Sequence, residues 1–350
     1  MFAVVPRVST IAVRATTIAR GIDGPTRYLI TAGRQYSRAS VSMFPLIRCF
    51  SSGVELDRSE GDINLSPARI EFQDGYIDDE TSKVLEDDAE HFMHQALSTP
   101  CINAIKSCSG PYIEDLQGNK ILDFHGNSVH QVGYGNKDVV EAIKSQLDTL
   151  PFCPRRYTND KAIALAEKLC SLAPGDLNRV LLCPGGTSAI GMALKVARMA
   201  TQKFKTISMW ESFHGASLDC VSIGGEAIFR KNVGPLLPGT EHAPPADEYR
   251  CAFKCQTRGG CDMSCADYVE YIMDTEGDIA AVIAEPIRWT PYIPKKEYWD
   301  RIRAACDRHG ALLIFDEIPN SLGRTGKMFT CENYCDPDIL VIGKGLGGGG

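Results

Sequence analysis

Five short apolar runs punctuate the second half of this chain: Arg179–Cys183, Thr206–Trp210, Ile279–Ala284, Ala311–Phe315 and Ile339–Ile342. Between them, Thr187–Gln202, Asp267–Glu276 and Tyr298–His309 bring apolar residues round at three- and four-residue spacing, as does Lys161–Leu172 just upstream. Runs this short and this apolar suit strands covered on both faces, so the alternation predicts an α/β domain with a mainly parallel sheet. Ligands of such sheets sit at the carboxyl ends of the strands. Further upstream, Tyr112–Asp123 alternates around Gly118-Asn119 and predicts a β-hairpin. Asp138–Thr149 predicts a helix, and a short one is expected around Asp87–Ala96.

Three strand ends carry chemistry. Gly185-Gly186-Thr187-Ser188 opens a helix, with Thr187 or Ser188 placed to cap it; free amides and the helix dipole there suit a phosphate, although such a turn also serves close packing. Asp316 ends the apolar run Ile314-Phe315, where a carboxylate needs a cationic partner; capping a loop or binding Mg²⁺ would satisfy it too. Lys344 follows Ile339–Ile342 and is flanked by glycines, a crowded setting that lowers a lysine pKa and makes its amine nucleophilic. A P-loop is excluded, because Lys344 is followed by Gly345 rather than by Ser or Thr.

Asp316-Glu317-Ile318, Gly323-Arg324-Thr325-Gly326, Pro337-Asp338-Ile339 and Gly343-Lys344-Gly345 with its glycine run, in that order, resemble the signature of the class-III aminotransferase family. The resemblance runs from about residue 60 to the end. It implies the fold type I of pyridoxal-phosphate-dependent transferases, with a large domain over residues 150–350. Residues 55–149 would be an N-terminal segment with part of a small domain. That small domain would be incomplete, since relatives continue for about another hundred residues, the size of a small domain. Carried over by position, Lys344 would hold pyridoxal 5′-phosphate covalently as an imine, and Asp316 would pair with the pyridine nitrogen. Ile318 would pack on one ring face and Phe213 would stack on the other, with His214 beside it in Trp210–Gly215. Gly186 and Thr187 would hold the phosphate. A homodimer of the full-length chain is the assembly implied.

Two positions depart from the family pattern. Ser188 stands in the phosphate turn where a glutamate is usual, and Pro319, without a side-chain donor, stands where a glutamine is usual. With Gly61–Arg69, His125–Gly133 and Pro154–Asn159, these departures resemble one subgroup, the (R)-1-hydroxy-2-aminoethylphosphonate ammonia-lyases, which yield phosphonoacetaldehyde and ammonia. An aminotransferase passing an ω-amino group to a keto acid is the alternative, and a non-catalytic remnant the second. A phosphonate calls for guanidinium groups, for which Arg155, Arg156 and Arg288 are the candidates, each equally suited to a salt bridge. His125 and His130 lie within reach of a substrate hydroxyl in this reading, with structural hydrogen bonding preferred for both, as it is for Glu285.

Residues 1–54 contain seven arginines, no lysine and one acid, Asp23, which is the makeup of a mitochondrial transit peptide and predicts a disordered leader and a matrix location. A disordered tail or a plastid signal would share that makeup. The whole chain has a net charge of −7 although residues 1–54 are basic, so the remainder is distinctly acidic, which argues against nucleic acid as a partner; no apolar stretch is long enough to predict a membrane span. Fourteen cysteines without a secretory signal predict reduced thiols. Cys251, Cys255, Cys261 and Cys265 are spaced closely enough to raise the possibility of a structural zinc.

Overall fold

A computed structural model describes residues 2–5, 66–92, 101–289 and 292–348 of the chain. It opens with a strand, β1 (Phe2–Val5), then two helices, α1 (Pro67–Tyr76) and α2 (Asp79–His91), the latter capped by Asp78, whose side chain accepts from the Thr81 amide. The expected helix at Asp87–Ala96 is the end of α2; residues 93–96 lie outside the described segments. A small antiparallel sheet follows, of β2 (Ile105–Ser109), β3 (Tyr112–Asp115) and β4 (Lys120–Leu122). The hairpin between β3 and β4 turns at Gly118, whose φ of +85° favours glycine, and Asp115 Oδ1 accepts from the Asn119 amide at 2.8 Å.

Helices α3 (Lys137–Thr149) and α4 (Asp160–Leu172) begin at asparagines, Asn136 and Asn159, each of which caps first-turn amides through its side chain. From there the strands and helices alternate as β5 (Arg179–Leu182), α5 (Gly186–Thr201), β6 (Lys205–Met209), α6 (Leu218–Ile223), α7 (Ala227–Arg230), β7 (Thr240–Ala243), α8 (Ser264–Glu276), β8 (Ile279–Ala284), α9 (Lys296–His309), β9 (Leu312–Asp316) and β10 (Ile339–Ile342). The large sheet has the order β5-β1-β10-β9-β8-β6-β7. Five neighbours, β10 to β7, are parallel, and β1 lies antiparallel to both β10 and β5.

Strand periodicity decides which side chains meet which helices. Ala281, Ile283, Ile314, Ile339 and Val341 point to the face covered by α5, whose Ala189, Ile190, Ala193, Leu194 and Ala197 recur at helical spacing and are buried. The intervening residues Val282, Ala284, Leu313, Phe315, Leu340 and Ile342 point the other way, onto α8 and α9 through Val269, Met273, Trp299 and Ile302. The alanines of α5 let its backbone lie close to the sheet, which carries the first turn of the helix up to the strand ends. Since β5 runs in the direction of β10, all the chemistry-bearing turns open at one edge of the sheet.

Two local elements differ from the sequence expectations. Phe2–Val5 is not disordered: it is a strand inside the sheet, pairing Phe2 with Leu182 on one side and with Ile342 on the other. The rest of the expected leader, residues 6–54, lies outside the described residues. Helix α5 is capped by neither Thr187 nor Ser188; Gly185 is the extended residue before it, and no side chain caps its first amides.

The zinc site expected at the four cysteines is not formed: among the described residues no group of three or more His, Cys, Asp or Glu could hold a metal. Cys255 Sγ faces the Glu248 carbonyl at 3.9 Å and Cys261 Sγ faces Met263 Sδ at 4.0 Å. Burial pushes the thiols of Cys255 and Cys265 up to about 11. Among the described residues no helix is long and apolar enough to cross a membrane.

Candidate active site

A cavity of about 480 Å³ opens at the carboxyl edge of the large sheet. Its wall brings together Gly186, Thr187, Phe213, His214, Asp316, Ile318 and Lys344, residues that are up to 158 positions apart in the chain. Each arrives on the turn after a strand: Gly186 after β5, Phe213 and His214 after β6, Glu285 after β8, Asp316 at the end of β9 and Lys344 after β10. The seven positions that the resemblance assigns to the cofactor therefore share one space.

The first turn of α5 presents the amides of Gly186, Thr187 and Ser188 with no side-chain cap, an arrangement that favours an anion. Gly215 backs this turn at φ +129°, and a Cβ there would lie 2.5 Å from Thr187 Oγ1 and 3.1 Å from Thr187 Cα. Gly215→Ala is expected to push the α5 first turn out of place. The expected loss is about 1–3 kcal/mol of stability, read by thermal melting, with weaker pyridoxal-phosphate binding read by titration.

Asp316 is almost fully buried and is held on both oxygens: His214 donates from Nδ1 to Oδ2 at 2.8 Å, and the Ile318 amide donates to Oδ1 at 3.1 Å. His214 Nε2, also buried, has no hydrogen-bond partner. The turn after Asp316 is pinned by Glu317, which is fully buried and accepts from the Thr330 and Cys331 amides at 2.6 Å each, while its own amide donates to the Val341 carbonyl. Asn320, three residues further on, donates to the Ile287 carbonyl and so ties the β9 turn to the one after β8. These contacts preorganise the acid before any ligand arrives.

Lys344 takes a φ of +28°, uncommon for a residue with a side chain, between Gly343 and Gly345. Gly345 permits this: a Cβ there would fall 1.6 Å from Gln131 Oε1, and Gln131 itself donates to the Ser321 carbonyl at 3.1 Å. Burial pushes the Lys344 amine below the ordinary lysine range, while the nearby acids Asp316 and Glu285 pull it part of the way back.

Glu285 joins the same wall, a position not expected of a purely structural residue. Burial, and then the proximity of Asp316, push its carboxyl up to about 7, with His214 and Arg288 offsetting part of the rise. Between the ordinary value of 4.5 and about 7, the native chain thus holds a proton that the unfolded chain has released. Glu285 accordingly adds a penalty absent below about 4.5 and complete above about 7, so native stability falls as pH rises through that window. Glu285→Gln should remove this dependence, narrowing the difference in melting temperature between pH 5 and pH 8.

The arginines fall elsewhere. Arg155 and Arg156 are exposed and do not line the cavity. Arg288 is buried behind Glu285, with Nη2 3.0 Å from Glu226 Oε2 and Nη1 3.8 Å from Glu285 Oε1. Of the two histidines considered for a substrate hydroxyl, His125 lines the cavity, while His130 stacks on Tyr134 and faces the Asp123 carbonyl. The sequence reading missed Asn127, Ser128 and Trp289 as cavity residues. Asn127 and Ser128 take positive φ after Gly126; Gly-Asn-Ser is a turn signal, but it does not say which cavity the turn will face.

Comparison with known proteins agrees with this geometry. The model of the family described as aminotransferase class-III matches residues 93–350. The chain is 50% identical over 307 residues to the (R)-1-hydroxy-2-aminoethylphosphonate ammonia-lyase of Vibrio splendidus, covering 83% of this chain and 64% of that protein. It is 37% identical to the putrescine aminotransferase of Pectobacterium atrosepticum, over 69% of this chain and 50% of that one. The chain thus spans about half to two thirds of the length of these relatives. Among solved structures, a Bacillus anthracis aminotransferase superposes with a TM-score of 0.69 at 30% identity, over 76% of this chain and 62% of the other. An amine transaminase from an uncultivated Pseudomonas species, in its pyridoxal-phosphate-bound form, gives 0.66 at 30% identity, over 73% and 62%.

Proposed function

The chain belongs to the class-III aminotransferase family, and from that premise we propose that it is a pyridoxal-phosphate-dependent ammonia-lyase acting on (R)-1-hydroxy-2-aminoethylphosphonate. The observation that carries this reading is the 50% identity to an enzyme of that name, extending over most of the chain. Pro319 supports it: it lines the cavity beside Ile318 and brings no side-chain donor to a ligand.

The residues present fit the cofactor. Unfilled first-turn amides of α5 and Thr187 suit its phosphate, the Asp316–His214 pair suits a protonated ring nitrogen, and Lys344 carries a poorly solvated amine suited to its aldehyde. Bound there, the cofactor supplies an electron-accepting ring. Asp316 keeps that ring nitrogen protonated, and His214 keeps Asp316 in place. Lys344 is the base that takes a proton from the amine-bearing carbon of the substrate. The cavity wall of Phe213, Ile318 and Trp289 holds water away from that carbon.

A second reading, transfer of an ω-amino group to a keto acid, draws on the putrescine aminotransferase similarity. One assay separates the two. The lyase releases ammonia from the aminophosphonate without any keto acid. Turnover that required pyruvate or 2-oxoglutarate and gave no ammonia would establish the transaminase instead.

A further inference from the structure

The cavity contains one acid to which the reading above gives no task. Glu285 follows the last residue of β8 and is 8% exposed. Its Oε2 accepts from the Trp289 amide at 3.0 Å, while its Oε1 is buried with no hydrogen-bond partner. A buried carboxyl oxygen left in this condition is costly and needs an explanation.

Its neighbours offset its charge only in part. Asp316 faces it from the end of β9, His214 from the turn after β6, and Lys344 from the turn after β10. The cation beside it, Arg288 at 3.8 Å from Oε1, makes its shorter contact with Glu226, at 3.0 Å. With burial and Asp316 pushing the carboxyl up to about 7, a substantial share of Glu285 carries a proton at neutral pH. Because Oε2 is taken up as acceptor for an amide, that proton belongs on Oε1.

An elimination of ammonia from a β-hydroxy amine has one demanding requirement: hydroxide is a poor leaving group and must depart as water. We propose that Glu285 is the acid that protonates the departing hydroxyl of the substrate, an inference that rests on the ammonia-lyase reading. Lys344 takes the proton from the amine-bearing carbon, and that C–H bonding pair becomes the new carbon–carbon double bond. The C–O bonding pair leaves with the hydroxyl oxygen, which receives the Glu285 proton and departs as water. Glu285 is left as a carboxylate beside Arg288 and recovers a proton from solvent or from the Lys344 ammonium. The enamine so formed takes up water and breaks down to aldehyde and ammonia. A transamination has no leaving hydroxyl and no use for this acid.

The test uses the full chain loaded with pyridoxal phosphate and compares wild type with Glu285→Gln, which keeps shape and removes the acid. With (R)-1-hydroxy-2-aminoethylphosphonate in D₂O, ammonia release by Glu285→Gln should fall by about 10²–10⁴-fold, the span of a general acid. Deuterium incorporation at the amine-bearing carbon and the cofactor absorbance should stay close to wild type. The analogue with fluorine in place of the hydroxyl needs less help to leave, so Glu285→Gln should release fluoride from it at near the wild-type rate. Glu285→Asp should recover part of the ammonia release.

Ammonia release by Glu285→Gln at the wild-type rate overturns the proposal. So does a joint loss of deuterium exchange and cofactor absorbance, which marks a structural role. A wild-type chain that binds the cofactor but gives no ammonia overturns the lyase reading and this inference with it.

Discussion

Replacing Lys344 by alanine should abolish turnover, with a loss of about 10³-fold or more, because the proposed base and the proposed attachment point of the cofactor disappear together. Borohydride treatment of the wild-type chain with pyridoxal phosphate should leave the cofactor covalently bound to the peptide containing Lys344; the Lys344→Ala chain should give no such adduct. The fold should tolerate the change. Lys344 is only partly buried, on a turn outside the two apolar layers, and its φ of +28° is one that alanine is no worse at adopting. A melting temperature close to wild type, combined with loss of the adduct, would separate chemistry from structure. Retained turnover would remove Lys344 from the mechanism.

The largest effect on stability should come from Trp299→Ala. Trp299 is 1% exposed, packs edge-on to Phe315 and Tyr298 at centroid distances of 4.8 and 4.9 Å, and donates from its indole nitrogen to the Pro286 carbonyl at 3.1 Å. Truncation leaves a cavity between α9 and the sheet and costs about 3–5 kcal/mol. The stranded Pro286 acceptor adds about 1 kcal/mol or more. Against a total of about 5–15 kcal/mol for a domain, this should bring the chain near to unfolding at physiological temperature. Denaturant titration measures it. Since Pro286 directly follows Glu285, the turn that carries the acid should loosen as well, so cofactor binding in the surviving folded fraction should weaken.

Much of this was legible in the sequence because burial on both faces leaves a plain mark. Ile279–Ala284 and Ile339–Ile342 are apolar at every position and became the middle of the sheet, with Asp316 and Lys344 at strand ends where a parallel sheet places its ligands. Strand β7 left no such mark. Its Thr240-Glu241-His242-Ala243 is an edge strand with mostly half-buried polar residues, and His242 is committed to stacking on Trp210. For Arg288 the salt bridge already weighed in the sequence is the one formed, but its partner, Glu226, is 62 residues away and had no local signal. The α5 cap failed for a different reason. Thr187 and Ser188 are good capping residues, but the helix starts one position earlier, which leaves its amides open to the cavity.

The placement of β1 bears on the order in which the molecule can be assembled. Phe2 is matched to Ile342, far away in the chain, and among the described residues β1 is what pairs β5 with the rest of the large sheet. Closing a contact of that span carries a large loop entropy, so the sheet should form late and cooperatively, after synthesis of the strand that precedes Lys344. Until then the phosphate-side turn after β5 and the lysine-side turn after β10 are not held in register, and the cofactor has no formed site to bind. A chain engaged at Phe2–Val5 by another factor would be kept from closing its sheet. One trimmed there would lose the strand that joins the two halves of the cavity.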